Sequence, residues 1–231
     1  MSEFSSLITI VVPTALVAAL SPTTFAVLIL LLSVSNKPKT NCLGFLAGSS
    51  IIILLAALIG FLAAEGASLV ANTEFNLLPA GINAILGVIL LYFGIKTAFN
   101  KEYNNNEENV ENKLKDKYSS FGFSSSLLLA LGLFSLNLIT SILVFYASNQ
   151  IGASDVNLMG KIISLFLLVT ITLLLVEIPL LILLFAPKKA NNILSSLNIW
   201  IQKNGHYLTA ILVIIIGVYM LFKGLNGLNF I

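Results

Sequence analysis

The sequence predicts an all-α, polytopic membrane protein of six transmembrane helices, arranged as two inverted three-helix repeats. Three observations predict it. Of 231 residues, 58% are hydrophobic and 10% charged, with a mean hydropathy of +1.00, far from the composition of a soluble domain. The apolar residues fall into six runs, about 6–33, 42–64, 78–99, 121–148, 159–186 and 206–225, each near or above the roughly 20 residues a helix needs to cross a bilayer. Finally, Gly87-Val88-Ile89-Leu90-Leu91-Tyr92-Phe93-Gly94 and Gly217-Val218-Tyr219-Met220-Leu221-Phe222-Lys223-Gly224 share the pattern G-V-x-x-L-x-x-G, and each closes a block of three runs. Three is odd, so a repeated three-span unit sits upside down relative to its partner. That arrangement places a working site near the midplane, where the halves meet. The chain divides into a first repeat at 1–99, a linker at 100–120 and a second repeat at 121–231.

Span one carries Ser21-Pro22-Thr23-Thr24 near its midpoint. Pro22 has no backbone N–H, which leaves the Ala18 carbonyl without its helical donor. The span does not read as a cleaved leader: no Lys precedes it, it outruns an h-region, and the Ser-Pro pair lies inside it. In span two, Gly44 and Gly48 form a G-x-x-x-G that predicts close helix packing. Asn83 in span three is expected to bond across helices. Residues 100–120 are Asn-rich and mix acids with Lys, too polar to bury a core, so a flexible tether is expected.

Span four places Ser135, Asn137, Thr140 and Ser141 near its middle, matching the polar cluster of its repeat partner, span one. It has no proline, so a break is less expected there. Span five holds Glu177, Pro179, Thr170 and Thr172. Pro179 frees the Leu175 carbonyl, which predicts a kinked helix with a carboxyl beside the kink. Residues 190–202 set Ile193, Leu194, Leu197, Trp200 and Ile201 at helical spacing, the pattern of a short amphipathic helix on the membrane surface, Trp200 at headgroup level. His206, the sole histidine, opens span six, where a surface position is expected.

Lysine placement fixes orientation. Lys37, Lys39, Lys96, Lys101, Lys113, Lys115, Lys117, Lys188, Lys189 and Lys203 all fall on one side of the six-span scheme, leaving Lys161 and Lys223 on the other. The first side is the cytoplasmic one, and both termini lie outside, in a cell membrane. There is no Arg, and the single Cys42 excludes an intramolecular disulfide or a two-thiol relay.

Polar groups at depth need a reason, because an unpaired one is costly in hydrocarbon. Glu177 is the one acid deep within a span; Glu65 and Glu74 belong to an outer loop. A central charge costs roughly 2.5–3.5 kcal/mol to insert, and no Lys lies at its depth. A bound proton, a substrate cation or water would neutralise it; the alternative is a protonated Glu bonded to a neighbouring helix. The clusters at 21–24 and 135–141 combine hydroxyls with freed carbonyls, the usual material of a mid-membrane site, although Ser and Thr also relieve simple kinks. The candidate substrate or proton site is therefore Ser21, Pro22, Thr23, Thr24, Ser135, Asn137, Thr140, Ser141, Glu177 and Pro179. No Walker A motif, H-E-x-x-H or Cys/His cluster is present, so ATP hydrolysis, zinc proteolysis and thiol transfer lack equipment. No enzyme activity, cofactor, metal site or nucleic-acid partner is expected.

Four stretches carry a family resemblance. They are Ser21-Pro22-Thr23-Thr24 with its following apolar run; Gly44-Phe45-Leu46-Ala47-Gly48; Ala84-Ile85-Leu86-Gly87 through Gly94-Ile95-Lys96; and Glu177-Ile178-Pro179 through Ala186-Pro187, then 194–200 and 217–225. In this order the chain resembles the LysE superfamily of small six-span exporters, most closely its GAP branch of peptidoglycolipid- and sulfolipid-addressing proteins. It departs in two places. Asn137 is followed by Leu138 where many members have Asn-Pro, and Pro22-Thr23-Thr24 stands where amino-acid exporters have Pro-Gly-Pro. The second departure points away from an amino-acid cargo.

The leading expectation is a secondary exporter of a lipid, glycolipid or other amphiphile, working by alternating access and coupled to protons through Glu177. Its partners are the bilayer and that amphiphile, and a homo-oligomer is compatible with the sequence. Two alternatives stand beside it. One is a non-transporting accessory subunit of a lipid export or biosynthesis complex; the other is an exporter of metal ions or small solutes. One buried carboxylate with hydroxyls is a thin ligand set for a divalent ion.

Overall fold

A computed structural model describes residues 3–70, 77–99 and 120–228. Residues 100–119 of the expected linker lie outside them, as do Glu74 and the side chain of His206. The described residues form nine helices: α1 (Glu3–Ala19), α2 (Pro22–Val34), α3 (Pro38–Val70), α4 (Leu77–Phe99), α5 (Phe123–Leu136), α6 (Leu138–Gly152), α7 (Leu158–Thr172), α8 (Leu174–Phe185) and α9 (Ala190–Gly227). Three stretches are long and apolar enough to cross a membrane, Pro38–Gly66, Ala80–Phe99 and Tyr207–Gly227. Three bent pairs bring the number to six if each pair is one span: α1–α2 bent by 53°, α5–α6 by 76° and α7–α8 by 69°.

Each bend has a local cause. Pro22 opens α2 and Ser21 before it takes an extended φ of −124°, so α1 cannot continue. Span four, where the lack of proline made a break less expected, nevertheless has the 76° bend. Asn137 makes it: its side-chain oxygen accepts a 3.3 Å bond from the Thr140 N–H, capping α6 and offering the backbone an alternative to a continuous helix. In span five the break falls at Leu173, whose carbonyl accepts from the Val176 and Glu177 N–H groups at 2.8 and 2.9 Å. Pro179, expected at the kink, lies inside α8, and Glu177 sits in that helix's first turn.

Residues 190–202 are helical as expected but not a separate surface helix. They begin the continuous 38-residue α9. Leu194 and Ile201 are buried within the protein, and Trp200 is exposed. Gly205 does not interrupt the helix, because its open side receives the Pro22 ring.

The repeated glycine motifs pack against each other. Gly87 faces the backbone of Gly217 and Leu221, Gly94 meets Ile214, and Gly224 meets Ala84. The pairing runs antiparallel along α4 and α9, with glycines letting the backbones approach. α3 instead runs parallel to α5 and α6: Gly44 lies on the Phe123 backbone, Gly48 on Leu127 and Gly60 on Phe145. At the far end of α3, Lys161 pairs with Glu65 at 2.8 Å and donates to the Gly152 carbonyl at 2.7 Å. Asn83 is buried, but among the described residues its side chain bonds to no neighbouring helix. The outer faces carry exposed Leu58, Ile59, Leu62, Phe166 and Leu184, a surface suited to lipid.

Candidate functional site

Two of the breaks meet. Asn137, between α5 and α6, donates from Nδ2 to Ser21 Oγ at 3.0 Å, and Ser21 Oγ donates on to Thr24 Oγ1 at 2.7 Å. Thr140 Oγ1 donates to the Ala18 carbonyl at 2.9 Å. From the start of the last span, Thr209 Oγ1 donates to the Leu20 carbonyl at 3.1 Å. The second half of the chain thus ties down the break in the first span with three side-chain bonds. The Ala18 carbonyl freed by Pro22 is therefore already occupied by Thr140, and serves the fold before any ligand.

Beside this stitching lies a cavity of about 450 Å³, lined by Ser21, Pro22, Thr23, Asn137, Thr140 and Thr209, with Phe93, Lys96 and Thr97 on the α4 side. Thr23 and Lys96 are exposed, Asn137 is half-buried and Thr140 is buried. The helix N-termini of α2 and α6 both end on its wall, presenting the positive ends of two helix dipoles. Among the described residues Lys96 is the only charged one lining it. Such a wall favours a polar or anionic group and disfavours a cation.

Of the ten residues expected at the site, the cavity gathers Ser21, Pro22, Thr23, Asn137 and Thr140. Thr24 lines a separate, much smaller void behind Ser21. Ser135 is exposed and Ser141 half-buried, and neither lines the cavity. Glu177 and Pro179 also lie outside it. Glu177 is half-buried, and among the described residues its carboxylate has no hydrogen-bond or ion-pair partner. No group of His, Cys, Asp and Glu among the described residues could hold a metal ion. In the sequence Lys96 marks orientation and ends a resemblance stretch and Phe93 lies in the repeated glycine motif, but none of Lys96, Phe93 and Thr209 reads as a site residue. Their signal was position: one turn inside the lysine-rich end of spans three and six, level with the second half of span one.

A second groove of about 430 Å³ lies at the opposite end, lined by Glu3, Phe4, Asp155, Asn157 and Met159 among others. It touches none of the breaks.

Broken apolar helices stitched around a polar cavity define a multi-pass helical membrane protein. Within that class, the family model for Sap, sulfolipid-1-addressing protein, matches residues 11–226, and the chain belongs to this family. The match bears out the GAP-branch reading. No curated protein and no solved structure gives a significant match to the chain.

Proposed function

We propose that the protein is a secondary exporter of a lipid or other amphiphile, moved by alternating access of two inverted three-helix halves around the cavity at residues 21 and 137. The observation that carries this reading is the 450 Å³ cavity at two meeting helix breaks, with Lys96 and several hydroxyls set in otherwise apolar helices. Membership of a family described as sulfolipid-1-addressing supports a lipid cargo. The antiparallel packing of α4 on α9 and the parallel packing of α3 on α5–α6 are those required of inverted halves.

With the lysine-rich ends cytoplasmic, the cavity opens inward past Lys96. The head group sits against Lys96, Thr23, Asn137 and the N-termini of α2 and α6, while its chains follow the exposed apolar helix faces. The three bonds that stitch the first break are what an outward swing must exchange. Glu177, which does not line this cavity, does not touch the head group in the present arrangement; its part is to carry the coupling proton.

Envelope lipid profiling of a deletion strain, complemented with wild type or with Lys96→Gln, tests the reading. One lipid class should build up inside or vanish from the surface, with wild type restoring it and Lys96→Gln restoring it only in part. An unchanged lipid profile in the deletion strain would overturn the lipid cargo.

A further inference from the structure

The cavity at residues 21 and 137 is ringed by four helix junctions, and three of them are closed. Asn137 and Thr140 bond α6 to the α1–α2 break. α2 meets α9 where the Pro22 ring seats on Gly205 and where Thr209 Oγ1 donates to the Leu20 carbonyl. α9 meets α4 backbone to backbone at Gly217 and Gly87. The fourth junction, between α4 and the α5–α6 bend, is different. Among the described residues α4 has few contacts with α6, does not pack along α5, and shares no hydrogen bond with either.

Both walls of this junction turn from cavity to lipid within a few residues. On α4, Phe93 and Lys96 line the cavity, while Tyr92 and Phe99 are exposed, Phe99 by 83%. Opposite them, Asn137 and Ile139 line the cavity. Leu136 and Leu138, on either side of Asn137, are 81% and 52% exposed. A gap with apolar lips therefore leads from the hydrocarbon to a polar interior. Its depth fits one leaflet, because Lys96 lies about 4.5 Å along the helix from the end of the Ala80–Phe99 span.

We propose that an anionic lipid enters this cavity sideways from the bilayer, through the gap between α4 and the α5–α6 bend, with its head group on Lys96 and its chains left among the surrounding lipids. Charge selects the ligand. Lys96 and the N-termini of α2 and α6 all favour an anion, and among the described residues no acid lines the cavity. A lateral route also keeps the chains out of water, whereas a route from the aqueous side would expose every methylene. That such a lipid is cargo rests on the export reading above; that it enters here does not.

The test is tryptophan fluorescence of the full-length protein in vesicles. Trp200, the only tryptophan, is removed as Trp200→Phe, and one tryptophan is set on the cavity wall as Phe93→Trp. The phosphatidylcholine vesicles carry a fixed fraction of phosphatidylglycerol or of phosphatidylcholine with brominated acyl chains, quenchers that act only near contact. The expected result is quenching nearly as strong as that of Phe166→Trp on the lipid face. Brominated phosphatidylglycerol should be favoured about fivefold over brominated phosphatidylcholine, the scale of one lysine's attraction, and Lys96→Gln should abolish that preference. Should Phe93→Trp fail to fold, Ile139→Trp on the facing wall serves in its place. Quenching by aqueous iodide but by neither brominated lipid would overturn the lateral route. Equal quenching by the two lipids would overturn the anionic head-group site. No transport is measured, so failure here leaves the export reading to the deletion-strain profile, and failure there leaves the lipid site intact.

Discussion

Thr140 Oγ1 donates a 2.9 Å hydrogen bond to the carbonyl oxygen of Ala18, the acceptor that Pro22 deprives of its helical donor. The bond joins the two halves of the chain at the point where each is broken. Thr140→Val keeps the side chain's shape and removes the donor, leaving a carbonyl unpaired at a site where Thr140 is 3% exposed. It should cost about 1–3 kcal/mol, and Thr140→Ser should cost much less. The measurement is the Tm of each variant in one detergent. Equal Tm for Val and Ser would show that the bond contributes nothing.

Asn137 does two jobs, capping α6 through Oδ1 and bonding Ser21 through Nδ2. Asn137→Ala loses both. A lost cap costs about 0.5–2 kcal/mol, and a lost neutral hydrogen bond about 0.5–1.5 kcal/mol. Ser21→Ala removes the second contribution and the bond to Thr24 but leaves the cap. Asn137→Ala should therefore be the less stable variant by thermal unfolding, and the reverse order would mean that the cap does not hold the bend.

The glycine motifs make a graded prediction. A methyl at Gly87 would lie 2.6 Å from the Leu221 backbone nitrogen, and one at Gly217 would lie 3.1 Å from both the Leu91 backbone nitrogen and its side-chain Cγ. Both contacts are with backbone, and the closer one is at Gly87, so Gly87→Ala should cost about 1–3 kcal/mol and Gly217→Ala less. Gly132 has open space around its missing Cβ. There, Gly→Ala should be neutral or stabilise by up to about 1 kcal/mol. Expression and Tm of the three variants settle the order.

Much of this was legible in the sequence because the physics involved is local. Apolar length located the spans, Pro22 marked the first break, and the repeated glycines marked the α4–α9 contact. The break at Asn137 was harder to read. A side chain that caps a helix interior leaves no trace as plain as a proline, and Asn137 looks like any polar residue until Thr140 is seen bonded to it. Pro179 misled in the other direction: α8 absorbs it, and the break forms at Leu173, which no pattern singles out. The cavity residues Lys96 and Thr209 were invisible for a different reason. Their role depends on how α4 and α9 pack against the first span, which is a tertiary relationship and not a periodicity.

The ion pair between Glu65 and Lys161 should respond asymmetrically to removal of either partner. Glu65 is 42% exposed in its side chain and Lys161 only 15%, and Lys161 also donates to the Gly152 carbonyl. Glu65→Gln leaves the ammonium its carbonyl acceptor and should cost under about 1 kcal/mol, as exposed pairs do. Lys161→Met removes the buried ammonium and with it the donor to the Gly152 carbonyl, and should cost more. Thermal unfolding at low and high salt checks this, with the smaller, salt-sensitive change expected for Glu65→Gln.

Glu177 separates stability from function. It stands in the first turn of α8, where a helix N-terminus favours a negative charge by a few tenths of a kcal/mol to about 1 kcal/mol. It has no partner among the described residues, and removing its charge strands nothing. Glu177→Gln, nearly identical in shape, should therefore keep its stability within about 1 kcal/mol of wild type and accumulate normally in the membrane. If the carboxyl carries the coupling proton, the same variant should fail to restore the lipid profile of the deletion strain, because an amide cannot take up or release a proton near neutral pH. Glu177→Asp, shorter but titratable, should restore part of it. A glutamine variant that is stable and fully active would remove Glu177 from the mechanism and leave energy coupling to another ion. A glutamine variant that is lost from the membrane would assign the residue to folding.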